Sequence, residues 1–175
     1  MDLQAEFSKR PSRARALEIA AYIGDSPARF AQLIGLVLTG DDTVSKYASW
    51  LISHCMQANP QLVRPHIGAL IKNLEKPKLS GSVVRSTVKA LAETDIPPDL
   101  QGHALQHCFD FLLDPKTEVA IQVHAMQTIF NISKNEPDLL RELQMVIEEG
   151  MPHGTAGYRA RGKRILKGIG KVLGN

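Results

Sequence analysis

Apolar residues recur at helical spacing along this whole chain, and no segment sustains the two-residue alternation of a half-buried strand. One stripe runs Val44, Ala48, Leu51, Ile52, Cys55; a second Val84, Val88, Leu91; a third Val119, Val123, Met126, Phe130; a fourth Tyr158, Gly162, Ile165, Leu166, Ile169. Proline punctuates the pattern at Pro27, Pro60, Pro77, Pro97, Pro98, Pro115, Pro137 and Pro152. Because proline ends helices or begins them, each interval after Pro60 holds one helix and a short connection. The longer interval before Pro60 is split by Gly40-Asp41-Asp42-Thr43, a C-terminal glycine followed by an N-cap residue. Ser26 and Thr117 read as further caps, and Pro65 puts a short turn before a helix that starts at Arg64 or Pro65. The spacing predicts helices near 12–23, 27–39, 43–58, 64–75, 82–94, 99–113, 117–134, 138–149 and 155–173.

Every second helix from 43–58 onward carries the same pattern. "DTVSKYASWLIS", "SVVRSTVKALAE", "TEVAIQVHAMQT" and "AGYRARGKRILK" align on Val44, Val84, Val119 and Tyr158, which lie 40, 35 and 39 residues apart. Four residues on stands a small or β-branched side chain (Ala48, Val88, Val123, Gly162), and seven on a large aliphatic one (Leu51, Leu91, Met126, Ile165). These are successive turns of one face, with room in the middle for a neighbouring helix. The pattern resembles HEAT repeats, paired antiparallel helices whose first helix often reads D-x-x-V-R-x-x-A-x-x-A-L. "VVRSTVKAL" matches best, "DDTVSKYASWL" supplies the Asp and Ala, and "GYRARGKRI" an Arg after its anchor; Ser45 and Ala120 stand where the motif has its basic residue. The resemblance covers residues 12–173. It implies an all-α, right-handed, armadillo-like α-solenoid of about four to four and a half helix pairs, each stacked on its neighbours. We expect one domain over 1–175, with 1–11 as a lead-in to the array.

Composition adds an ordinary 43% hydrophobic and 22% charged residues, so neither a disordered nor a fibrous chain is implied. Cys55 and Cys108 sit inside apolar stripes without CxxC spacing, which points to buried free thiols in a reducing compartment. The first fifteen residues have no apolar signal region, and no apolar stretch is long enough to span a bilayer. A cytoplasmic protein is expected.

Candidate chemistry is sparse. No phosphate-cradling loop precedes a helix, and Ser53-His54-Cys55 are adjacent residues that point around a helix rather than at one another. His103, His107 and Asp110 share one helix face at i, i+4 and i+7, but nothing of matching spacing lies elsewhere to complete a metal site. His124, beside Val123, reads as a packed or interfacial histidine. No catalytic, cofactor-binding or metal-binding residue and no cofactor is therefore expected. Certain DNA-alkylation glycosylases are built from HEAT-like repeats and hold DNA in a basic groove with Trp, Asp and Arg. Here the single Trp, Trp50, falls in the helical pattern, where a place between layers is expected. The second helices of the pairs, which line the concave side in such arrays, carry the mixed set Arg29, Gln32, Lys72, Asn73, Gln106, His107, Asp110, Arg141, Glu142, Glu148 and Glu149.

Charge is concentrated at one end. Residues 155–175 hold six Lys and Arg and no acid, whereas the remainder has fifteen basic against eighteen acidic residues. In the helix over 155–173, Arg159, Lys163, Lys167 and Lys171 recur every fourth residue beside the apolar stripe. The preceding helix carries Glu136, Asp138, Glu142, Glu148 and Glu149 against a single Arg141, so part of the basic stripe is expected alongside an acidic neighbour. Three readings of the stripe stand: a solvated cap of the array, a docking surface for an acidic protein, or a nucleic-acid contact. Lys9, Arg10, Arg13 and Arg15 form a second candidate patch. Together these features predict a non-catalytic protein-binding or adaptor module, monomeric or weakly oligomeric and away from membranes. A HEAT-like nucleic-acid-binding or DNA-alkylation-repair protein is the alternative.

Overall fold

The computed structural model describes residues 1–7, 9 and 12–174. Among the described residues there are ten α-helices and no strand: α1 (Leu3–Phe7), α2 (Arg13–Ile23), α3 (Pro27–Thr39), α4 (Asp42–Ala58), α5 (Ile67–Asn73), α6 (Gly81–Ala92), α7 (Pro98–Leu113), α8 (Val119–Ile132), α9 (Pro137–Gly150) and α10 (Ala156–Leu173). Two compact units result, Met1–Asp95 and Ile96–Asn175.

In the first unit α4 is central, packing against α2, α3 and α6. Ile19, Ile23, Phe30, Leu33, Leu51, Ile52 and Leu91 are fully buried, so aliphatic side chains fill this core. Each helix start is fixed locally. Ser12, Ser26, Asp41 and Ser80 each accept a hydrogen bond from the backbone N–H three residues on, satisfying a donor that the helix itself leaves unpaired. Gly40 allows α3 to pass into α4 without a loop, since a Cβ there would lie 2.5 Å from the Leu36 carbonyl oxygen and 2.7 Å from Val44. The helix expected over 64–75 is instead a 3-10 segment, Pro60–His66, followed by the short α5. Pro65 within that segment has no N–H to donate, so regular helix begins only beyond it. Ahead of α2, Leu3 and Phe7, one turn apart on α1, are buried, and the Phe7 ring meets Tyr47 edge-on at 5.0 Å.

In the second unit α8 packs against α7 and α10, and α9 against α10. Glycines set the close approaches. A Cβ at Gly168 would lie 2.8 Å from the Phe130 ring, and one at Gly162 would lie 3.0 Å from Ile147 of α9 and from Met151 just after it. Tyr158, 5% exposed, lays its ring over Gly150 and Gly154. A Cβ at Gly154 would meet the ring at 2.6 Å, and one at Gly150 would overlap the phenol. Thr117 is not a helix cap: α8 begins at Val119 behind Glu118, and the Thr117 N–H is taken by the Asp114 carbonyl at 3.0 Å.

The four aligned positions behave unequally. The seventh-residue position is buried throughout, at Leu51, Leu91, Met126 and Ile165. The fourth is buried at Ala48, Val88 and Gly162 but only half-buried at Val123, where Ala125 and Thr128 take the buried places. Of the anchors only Tyr158 is buried; Val44, Val84 and Val119 sit at the rim.

Candidate functional site

Helix α10 starts at Thr155, whose hydroxyl accepts from the Tyr158 N–H at 3.2 Å, and ends at Gly174, whose φ of 77° is the left-handed conformation that glycine adopts without a Cβ penalty. Its buried side is Tyr158, Gly162, Ile165 and Ile169. With that side fixed against α8 and α9, helical geometry turns Arg159, Lys163, Lys167 and Lys171 to solvent, and all four are exposed. Arg164 is exposed on the same outward side and extends the face to five cations. At a rise of about 1.5 Å per residue, Arg159 and Lys171 are about 18 Å apart along the axis.

None of these five side chains makes a hydrogen bond or an ion pair among the described residues. The sixth cation differs: Arg161 is half-buried and donates to the Gln127 side-chain carbonyl of α8 at 2.8 Å, which makes it a brace between helices. The expected pairing of the stripe with the acidic helix is absent among the described residues. Helices α9 and α10 meet through apolar side chains, Ile147 and the following Met151 against Gly162, and of the α9 carboxylates Glu149 acts on α10 by helping burial to raise the Tyr158 phenol. Two of the α9 carboxylates have local partners, Asp138 accepting from Arg141 at 2.9 Å and Glu148 from the Gln144 amide at 2.9 Å.

Arg164 breaks the strict every-fourth repeat and so falls outside the stripe expected from the sequence. The signal was present: Arg164 lies one residue, or about 100°, from Lys163, still outside the apolar stripe.

The other sequence candidates fall elsewhere. His103 is exposed, His107 stacks on Phe111 at 6.4 Å, and the Asp110 carboxylate accepts from the Gln106 amide at 3.0 Å, so the three are not gathered around a point. Among the described residues no group of three His, Cys, Asp or Glu has the geometry to hold a metal. His124 is half-buried, and its carbonyl accepts from Thr128. Cys55 and Cys108 are buried free thiols. Burial pushes Cys55 up to about 11 and Cys108 up to about 12, the Thr128 hydroxyl acting the other way on Cys108. Thiolate is the nucleophilic form, so both are unreactive near neutrality.

Trp50 does not lie between layers. It is 41% exposed on α4, stacked on Tyr47 at 6.0 Å and met edge-on by His54 at 5.0 Å. Of the second-helix cations, Arg29 donates to the Tyr22 carbonyl at 2.6 Å and lies over the Tyr22 ring, and Arg141 pairs with Asp138. In the candidate patch near the start, Lys9 and Arg15 pair with Glu6, Arg13 is exposed, and Arg10 lies outside the described residues.

Stacked helices within each unit and the recurring inward pattern define an all-α solenoid of helical repeats. The HEAT repeat domain family model matches residues 3–169, and the chain belongs to that family. No curated protein and no solved structure matches it. Among the described residues no helix is long and apolar enough to cross a membrane.

Proposed function

We propose that this protein is a non-catalytic protein-interaction module that docks an acidic segment of a partner on the outward face of α10. The observation that carries the reading is the unpaired state of Arg159, Lys163, Arg164, Lys167 and Lys171, five cations on one rigid helix while Arg161 beside them is committed to Gln127. A cap needed only for solubility is served by charges of both signs; five of one sign without an acid among them create a directional field. The face also lacks aromatic side chains, which single-stranded nucleic-acid sites use to stack bases. HEAT-repeat proteins are often scaffolds for protein interaction, and that general role agrees with the reading. The buried thiols of Cys55 and Cys108 favour a reducing compartment, the cytoplasm.

The test is a binding titration of the full chain against a poly-glutamate peptide and a DNA duplex at about 0.15 M salt, where the Debye length is about 8 Å. The peptide is expected to bind, and the version with all five residues changed to Glu is expected to lose it. A duplex retained at this salt in preference to the peptide would favour a nucleic-acid-binding protein instead. Equal peptide binding by both versions would exclude the α10 face.

A further inference from the structure

The last two helices carry opposite charges on their outward sides. On α9, Asp138, Glu142, Glu148 and Glu149 are exposed with one cation, Arg141, which is held by Asp138. Within that acidic face Met145 is 64% exposed, the most exposed of the large apolar side chains. On α10 the outward face is cationic, with Ala156, Gly157 and Ala160 exposed along its first turns, so that half of it is flat. Among the described residues no ion pair joins the two faces within one molecule, since α9 and α10 meet through Ile147, Gly150, Gly162 and Tyr158. The complement of each face is present on every other copy of the chain.

We propose that the α9–α10 hairpin pairs with the same hairpin of a second copy, the acidic face of α9 in one lying on the cationic face of α10 in the other. A two-fold axis running along the hairpin brings α9 onto α10 twice, so both contacts are complementary and the assembly closes at two. The small residues of α10 leave room for Met145 of the facing copy, an apolar centre within a charged rim. Helices of 14 and 18 residues are about 21 and 27 Å long. Two such helices side by side offer about 500 Å² per copy, and about 1,000 Å² in total is the low end for specific association. The dimer is therefore weak and labile to salt. This inference rests on the reading of α10 as a docking face and names its resident occupant: an acidic partner must displace the second copy, so partner binding and self-association compete.

The experiment is sedimentation velocity on the full chain, with concentration raised stepwise into the high micromolar range at about 0.05 M and about 0.5 M salt. At low salt the mass is expected to rise towards twice that of the monomer, with at least a tenfold weaker association at high salt. Two variants sharpen it, K163E/R164E/K167E on α10 and E142K/E148K/E149K on α9. Each alone is expected to remain monomeric with native circular dichroism, and their equimolar mixture to form a heterodimer, because the swap restores both contacts. A wild-type chain monomeric throughout at low salt, open-ended polymers, or dimers unaffected by either triple variant would each overturn the proposal. A chain that binds poly-glutamate but never self-associates overturns this inference alone; a chain that does neither overturns the docking face as well.

Discussion

Helices α4 and α10 occupy the same place in the repeat and show the same interior. Ala48 and Leu51 on one correspond to Gly162 and Ile165 on the other, and all four are buried. Their outward sides share nothing: α4 presents the exposed Trp50 ring, met edge-on by the half-buried His54 and stacked on the buried Tyr47, and α10 five unpaired cations. Inward positions answer to packing, so the pattern persists; outward positions answer to solvent or a partner and are free to diverge.

The strongest way to break this comparison is to truncate the shared interior. Leu51→Ala and Ile165→Ala are each expected to cost about 2–5 kcal/mol in chemical denaturation, because both leave cavities in fully packed sites. A cost well under 1 kcal/mol at either site would show that the two interiors are not equivalent. The next effect is the opposite insult. Gly150→Ala is expected to destabilise by about 1–3 kcal/mol, since the added methyl meets the buried Tyr158 phenol, whereas Gly35→Ala on α3 meets nothing within 4 Å and is expected to be neutral or stabilising.

Smaller still is the division among the α10 cations. Arg161→Ala is expected to cost about 1 kcal/mol through its lost bond to Gln127, while Arg164→Ala leaves the thermal midpoint unchanged within about 2 °C. A matching loss at Arg164 would mean that the outward face is structural after all. Alkaline pH probes the interior separately. Folding keeps Cys55 and Cys108 protonated up to about 11 and about 12, while unfolded thiols ionise near 9.0. Across that window the folded chain binds more protons, so stability falls as pH rises through it and gains no slope from these groups below it. Urea midpoints for Cys55→Ala and Cys108→Ala that still fall as steeply would assign the alkaline loss elsewhere.

Much of the fold was legible because helix starts and stops are local chemistry. Ser26 and Asp41 act as caps, and eight of the ten helices fall within two residues of the bounds expected from periodicity and proline. What escaped depended on tertiary contacts. Helix α1 has too few residues to show a period, and only the contact of Phe7 with Tyr47 reveals that it is part of the core. Trp50 was misplaced because a large apolar side chain near a stripe looks buried on a helical wheel, although it lies one position to the solvent side of Ser49 and Leu51. The direction of the cationic stripe was legible from the wheel; its lack of acidic neighbours was not, because which sides of α9 and α10 touch is decided by Gly162 and Ile147.

Trp50 has a practical corollary. As the single indole of the chain and already in contact with water, it reports only on the first unit, and its emission shifts little when that unit unfolds. The second unit is spectroscopically silent at this wavelength. Tyr158→Trp in a Trp50→Phe background would invert the arrangement, replacing a surface indole with one seated over Gly150 and Gly154, so that loss of α10 alone produces a red shift.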